Sequence, residues 1–143
     1  MAIEYKKIEH WIPLQAKAEK EMLAEFEAGN YTIDNPLIKY NPYLINPLAA
    51  VILFKTEEEV AITVTVKGKT KAADFRHTFP KAKTHVLPIL GLYNNYKNTV
   101  ELTPYRGETT KIEIEIGDVV PNILVHCDTT PEYFQDNVMI LTP

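Results

Sequence analysis

The chain has 143 residues, of which 45% are hydrophobic and 24% charged, the composition of one soluble domain with appendages rather than of a disordered chain. Its net charge of -4, with 15 basic residues scattered along the sequence, gives no footprint for a phosphate backbone, so nucleic acid is not an expected partner. No apolar run approaches the roughly 20 residues that span a bilayer, and no membrane association is expected.

The start, Met1 to Trp11, carries charges every few residues and lacks the unbroken apolar segment of a secretory signal. As written, the chain is expected in the cytoplasm, and in the periplasm or exported if a targeting segment is missing. The single Cys127 cannot make an intrachain disulfide, so burial must hold the fold, and this cysteine reads as a small buried hydrophobe.

Pro13 to Ala28 reads as an amphipathic helix. Leu14, Ala18, Met22 and Phe26 recur four apart with Leu23 beside them, and Lys17, Lys20, Glu21, Glu25 and Glu27 cover the other side. Proline suits the first turn and Gly29-Asn30 a left-handed stop. The stripe can lie on the chain's own sheet, on a second subunit or on a further domain. Asn35-Pro36, Asn41-Pro42 and Asn46-Pro47 then make a stiff, turn-rich approach to the core, with Leu37–Tyr40 as a short edge strand between them.

Ala49 to Phe54 is a continuous apolar run, suited to a strand covered on both faces or at the centre of a sheet. Glu57-Glu58-Glu59 reads as a solvated turn. Val60 to Lys67 alternates Val60, Ile62, Val64 and Val66 with Ala61, Thr63, Thr65 and Lys67, the pattern of a strand with one buried face. It ends at a turn in which Gly68 can supply a positive φ. Ala73 to Phe79 and Thr84 to Ile89 read as two short strands separated by Pro80-Lys81-Ala82-Lys83. Gly91 to Leu102 joins a polar turn to an alternating strand, as at the crossing between sheets in immunoglobulin-like domains, where the hydroxyl of Tyr96 or Tyr93 would tie the corner. Thr109 to Ile116 closes the set, with Ile112, Ile114 and Ile116 inward. The pattern predicts a mainly β protein, an immunoglobulin or fibronectin III-like antiparallel β-sandwich with an N-terminal amphipathic helix. Its expected parts are an arm and turn-rich approach over 1–36, the sandwich over 37–118, and a linker over 119–143. In the linker, Val119 to Cys127 reads as an extended segment and Asn137 to Leu141 as the opening strand of a truncated domain.

No constellation of residues carries chemistry. The histidines, His10, His77, His85 and His126, have no metal-ligand spacing on one element, and consecutive glutamates in a turn do not converge on a cation. Asp74 and His77 fall on opposite faces of a strand, so they form no dyad. With only 5 glycines the chain contains no glycine-rich phosphate loop, and it has no zinc-protease helix or nucleophile elbow. No catalytic, cofactor-binding or metal-ligating residue is assigned, and no cofactor is expected. The interleaved Tyr93, Tyr96 and Lys97 fit a sandwich corner as well as a stacking platform.

Several segments together resemble the N-terminal domain of the bacterial arylsulfate sulfotransferase family. They are Asn30 to Pro36, Asn41-Pro42-Tyr43 with Pro47-Leu48-Ala49, Val64 to Lys69, Ala73 to Phe79, and Thr84 to Tyr93 leading into Asn98 to Leu102, with Cys127 to Tyr133 trailing. Leu44 stands where the family pattern has glycine. The resemblance implies a β-sandwich ahead of a six-bladed β-propeller, in an enzyme that moves a sulfuryl group from a phenolic sulfate ester to another phenol. Propeller histidines, an arginine and an asparagine carry that chemistry in the family, and none of those positions exists here, so the chain alone is expected to be inactive. The implied partners are the C-terminal propeller and a second copy in a homodimer. A stand-alone fibronectin-like module that binds a protein or glycan is the alternative.

Overall fold

The computed structural model describes residues 11–119. Helix α1 (Trp11–Ala28) is followed by strands β1 (Leu37–Tyr40), β2 (Ala50–Val66), β3 (Phe75–Ile89), β4 (Tyr96–Pro104) and β5 (Thr110–Ile116). Every strand pairing is antiparallel. Among the described residues no helix is long and apolar enough to cross a membrane.

β2 organises the sheet. Along one edge it pairs with β3 from Ala50↔Ile89 to Val66↔Phe75. Along its other edge the first half pairs with β1 (Leu37↔Leu53 to Tyr40↔Ala50) and the second half with β4 (Ile62↔Pro104 to Val66↔Val100). β4 in turn pairs with β5. Between the halves the register shifts: from Lys55 to Val60 on β2 the partner strand advances only from Thr84 to Ala82. Such an excess of residues on one strand bends and twists the sheet locally.

Two expected breaks are therefore not breaks. Glu57-Glu58-Glu59 is no turn but the exposed bulge of a continuous strand, and Pro80-Lys81-Ala82-Lys83 lies inside β3. The glutamates do reach water, but β3 pairs with β2 on both sides of them, so the backbone needs no reversal. Pro80 has no register partner and sits on an edge strand, where its missing donor leaves no ladder bond unmade.

One core draws on both halves. Ile52, Phe54, Leu87 and Ile89 from the first half cluster with Ile62, Val64, Val100, Leu102, Ile112 and Ile114 from the second. Ile62, Val100 and Leu102 are completely excluded from solvent. Helix α1 covers the opposite face, so the halves of the bent sheet must cover each other, and the hydrogen bond from Thr110 at the start of β5 to Asp34 ahead of β1 (3.0 Å) ties them across the gap. The alternate residues Val51 and Leu53 face the other way, against Met22, Phe26 and Leu37, with Tyr31 and Tyr43 at the margin. That double coverage explains the unbroken apolar run of Ala50 to Phe54.

Helix α1 thus packs on its own chain, but with less of the expected stripe. Met22 and Phe26 are buried, whereas Leu14 and Leu23 are exposed. The inward line is Trp11, Gln15, Ala18, Met22 and Phe26, rotated from the Leu14 line. Lys39–Glu25 (2.5 Å) and Lys55–Glu27 (2.8 Å) ion pairs flank the contact. The end of α1 also differs from expectation, because positive φ occurs at neither Gly29 nor Asn30. Gly29 is needed for space: a Cβ there would lie 2.2 Å from the Tyr31 ring, which stacks on Phe26.

Gly68 is a second glycine that serves close approach rather than positive φ, since a Cβ there would meet the Ala73 backbone at 2.5 Å. The Asp74 carboxylate closes this loop, accepting the Gly68 N–H at 2.9 Å and pairing with Lys67. The hydrogen bond from Lys67, then that from Gly68, holds the Asp74 carboxyl below the usual range.

Candidate functional site

The described residues bring no group of three or more metal-ligating side chains together. His77 and His85 lie eight residues apart on β3, about 25 Å at the rise of a strand. His77 is exposed and meets Phe79 edge-on at 4.7 Å, while Asp74 is engaged with Lys67, so the two do not form a dyad. His10, His126, Cys127, the extended segment beyond Val119 and the strand expected at Asn137 to Leu141 lie outside the described residues.

His85 has a structural role at the bulge. It is buried, its ring stacks on Phe54 at 4.7 Å, and its Nε2 stands 3.1 Å from Thr56 Oγ1. Thr56 Oγ1 donates to the Glu58 carbonyl at 2.8 Å and lies near the carbonyls of Ala82 and Lys83, so one hydroxyl gathers the loosened backbone of both strands. Burial pushes the His85 imidazole below its usual range, against a smaller opposing effect of a hydrogen bond with the Ala82 backbone. The unfolded chain therefore binds this proton more readily than the folded one. The stability tied to neutral His85 is fully present above the ordinary histidine value of about 6.5 and falls as pH drops from there through the lower folded value. Thermal melts between neutrality and about pH 5 should show that decline, and His85→Phe, which cannot take the proton, should flatten it.

The corner between β3 and β4 is held differently from expectation. Neither Tyr93 nor Tyr96 makes a hydroxyl hydrogen bond among the described residues. The tie is Asn98, fully excluded from solvent. Its Oδ1 accepts the Tyr93 N–H at 2.7 Å, and its Nδ2 donates to the carbonyls of Tyr93 (3.1 Å), Tyr96 (3.1 Å) and Ile114 (3.3 Å). Tyr93 and Tyr96 instead meet edge to face at 5.6 Å, with the Lys69 ammonium over both rings at 5.0 and 5.2 Å. These rings hold the protein's own lysine and offer no open platform. Lys97 is paired with Glu113 at 2.6 Å.

One concave feature among the described residues is apolar. A cleft of about 210 Å³ lies between the loop joining β1 to β2 and the end of β3, lined by Pro42, Tyr43, Ile45, Ala49, Pro88 and Leu90. Its loop is internally bonded: Asn41 Oδ1 accepts the Asn46 N–H, Asn46 Oδ1 accepts the Leu48 N–H, and the Tyr40 hydroxyl donates to the Pro47 carbonyl. Asn41 and Leu44 take positive φ, 40° and 60°. Leu44, where the resemblance led to the expectation of a glycine, thus occupies glycine-like backbone at a cost of about 1 kcal/mol or more.

The family model for the arylsulfotransferase Ig-like domain matches residues 37–117, which run from the first residue of β1 to just beyond β5 and make up more than half of the chain. No curated protein and no solved structure matches. The strands, the shared core and the Asn98 corner all fall within the matched segment, and the chain belongs to the arylsulfotransferase N-terminal, immunoglobulin-like domain family.

Proposed function

We propose that this chain is the scaffold portion of an arylsulfotransferase, on which a C-terminal β-propeller performs sulfuryl transfer from a phenolic sulfate ester to a phenol. The family match over 37–117 carries this reading. The character of the surface supports it. Two histidines remote from one another, one of them buried against Phe54, leave the described residues suited to holding a shape rather than a sulfate. The outer faces of β4 and β5 carry ion pairs, Lys97–Glu113 and Lys111–Glu101, of the kind found on a wet wall. Homodimerisation belongs to the same proposal, through surfaces other than Met22 and Phe26, which the chain covers itself.

The test compares three polypeptides for transfer from phenyl sulfate to a phenol: the 143-residue chain, a longer in-frame product that includes the downstream sequence, and that downstream sequence alone. Transfer is expected from the longer product and not from the 143-residue chain, with loss of soluble, active protein when the downstream part is made alone. Transfer by the 143-residue chain itself, or an undiminished downstream part without it, overturns the reading.

A further inference from the structure

The end of the molecule from which the chain leaves β5 is apolar. Leu44 in the β1–β2 loop and Val119 just after β5 are exposed, as are Ile45 and Leu90, which line the cleft beside that loop. Its volume, about 210 Å³, falls below the range of roughly 300–1,000 Å³ typical of small-molecule pockets, and no charged side chain lines it. Its two asparagines accept hydrogen bonds from the loop's own backbone. A few aliphatic side chains suit such a site better than a polar ligand.

The exit of the chain is fixed close by. Val119 N–H donates to Asn94 Oδ1 at 2.9 Å, Asn94 Nδ2 donates to Asp118 at 2.9 Å, and Asn95 N–H donates to the Gly117 carbonyl at 3.0 Å. Four residues before Asn94 lies Leu90, a wall of the cleft, and the Leu92 N–H is bonded to the Leu48 carbonyl at 3.2 Å, beside Ala49 of the same wall. Asn94 and Leu90 are therefore at most about 14 Å apart, while the six residues from Val119 to Val125 reach up to about 20 Å when extended. The sequence places an apolar triplet, Ile123-Leu124-Val125, at that distance, followed by polar His126.

We propose that Ile123–Val125 of this chain seat their aliphatic side chains in this cleft, anchoring the outgoing polypeptide across the apolar end. The proposal goes beyond the scaffold reading and does not require sulfotransfer. It is tested by nuclear Overhauser contacts in the 143-residue chain. Methyl protons of Ile123, Leu124 and Val125 should contact the Tyr43 ring and the Leu90 methyls, and the contacts should be intramolecular in an isotope-filtered mixture of labelled and unlabelled protein. Ile45→Asp and Leu124→Asp should each speed exchange of the Val119 amide at least about tenfold, and the double variant should exchange no faster than the faster single one, as coupled sites require. Absence of the contacts, additive effects, or contacts that are intermolecular, marking a second copy as the occupant, would overturn the proposal. If Ile45→Asp does not fold, the contacts in the unsubstituted chain decide.

Discussion

Replacing Asn98 by alanine is expected to destabilise the protein by about 3–4 kcal/mol and to lower Tm by roughly 15 °C. The amide makes four hydrogen bonds to backbone groups of Tyr93, Tyr96 and Ile114 from a position with no solvent exposure. Removing it leaves one donor and three acceptors facing a small void, and a buried polar group without a partner costs about 1–3 kcal/mol. Some of the loss is recovered if the corner shifts or admits water, which keeps the total below the sum. Tyr93→Phe and Tyr96→Phe should each change stability by only about 0.5 kcal/mol, because their rings stay over Lys69 and among the described residues their hydroxyls hold nothing. Urea titrations of the three variants separate the amide from the phenols. A large loss at either tyrosine would return the corner to the hydroxyl arrangement expected from the sequence.

Phe26→Ala should have the other large effect, about 3–4 kcal/mol, the usual cost of truncating a buried phenylalanine. The ring is 1% exposed, stacks on Tyr31 with centroids 6.0 Å apart, and carries the Lys55 ammonium at 5.2 Å. Only Met22 and Phe26 of α1 are buried, so docking of the helix depends on very few side chains. Hydrogen exchange should accordingly show the α1 amides losing protection ahead of those in β2 and β4. Leu14→Ala, on the exposed side of the helix, should change stability by no more than about 0.5 kcal/mol. Equal losses at Leu14 and Phe26 would mean that the helix packs along the line read from the sequence.

Periodicity along this chain carries burial. Alternation places Val60 to Val66 correctly, and the Ala50 to Phe54 run shows double coverage, because burial on a pleated strand is written directly in the order of residues. It does not carry continuity. Three glutamates and a proline look like turn punctuation, and only the cross-strand register shows them as a bulge facing an edge. Asn98 was legible in part: it shares its face with Val100 and Leu102, so the alternation already placed a carboxamide inside, and a buried amide demands partners. The partners themselves come from Tyr93, Tyr96 and Ile114, and the last belongs to another strand. The positive φ at Leu44 falls where the resemblance led to the expectation of a glycine. For the helix, a spacing of four drifts across the face over several turns, so Leu14 and Phe26 need not point the same way. As for the histidines, the sequence put His77 and His85 on two short strands, which the fold joins into the single β3.

Under the proposed function, residues 11–119 supply a framework and sulfate recognition belongs elsewhere. A titration of the folded chain with phenyl sulfate, followed through the imidazole resonances of His77 and His85, tests it most directly. The account predicts no saturable shift at either ring. A saturable shift centred on either imidazole, and abolished by its replacement, would contradict it.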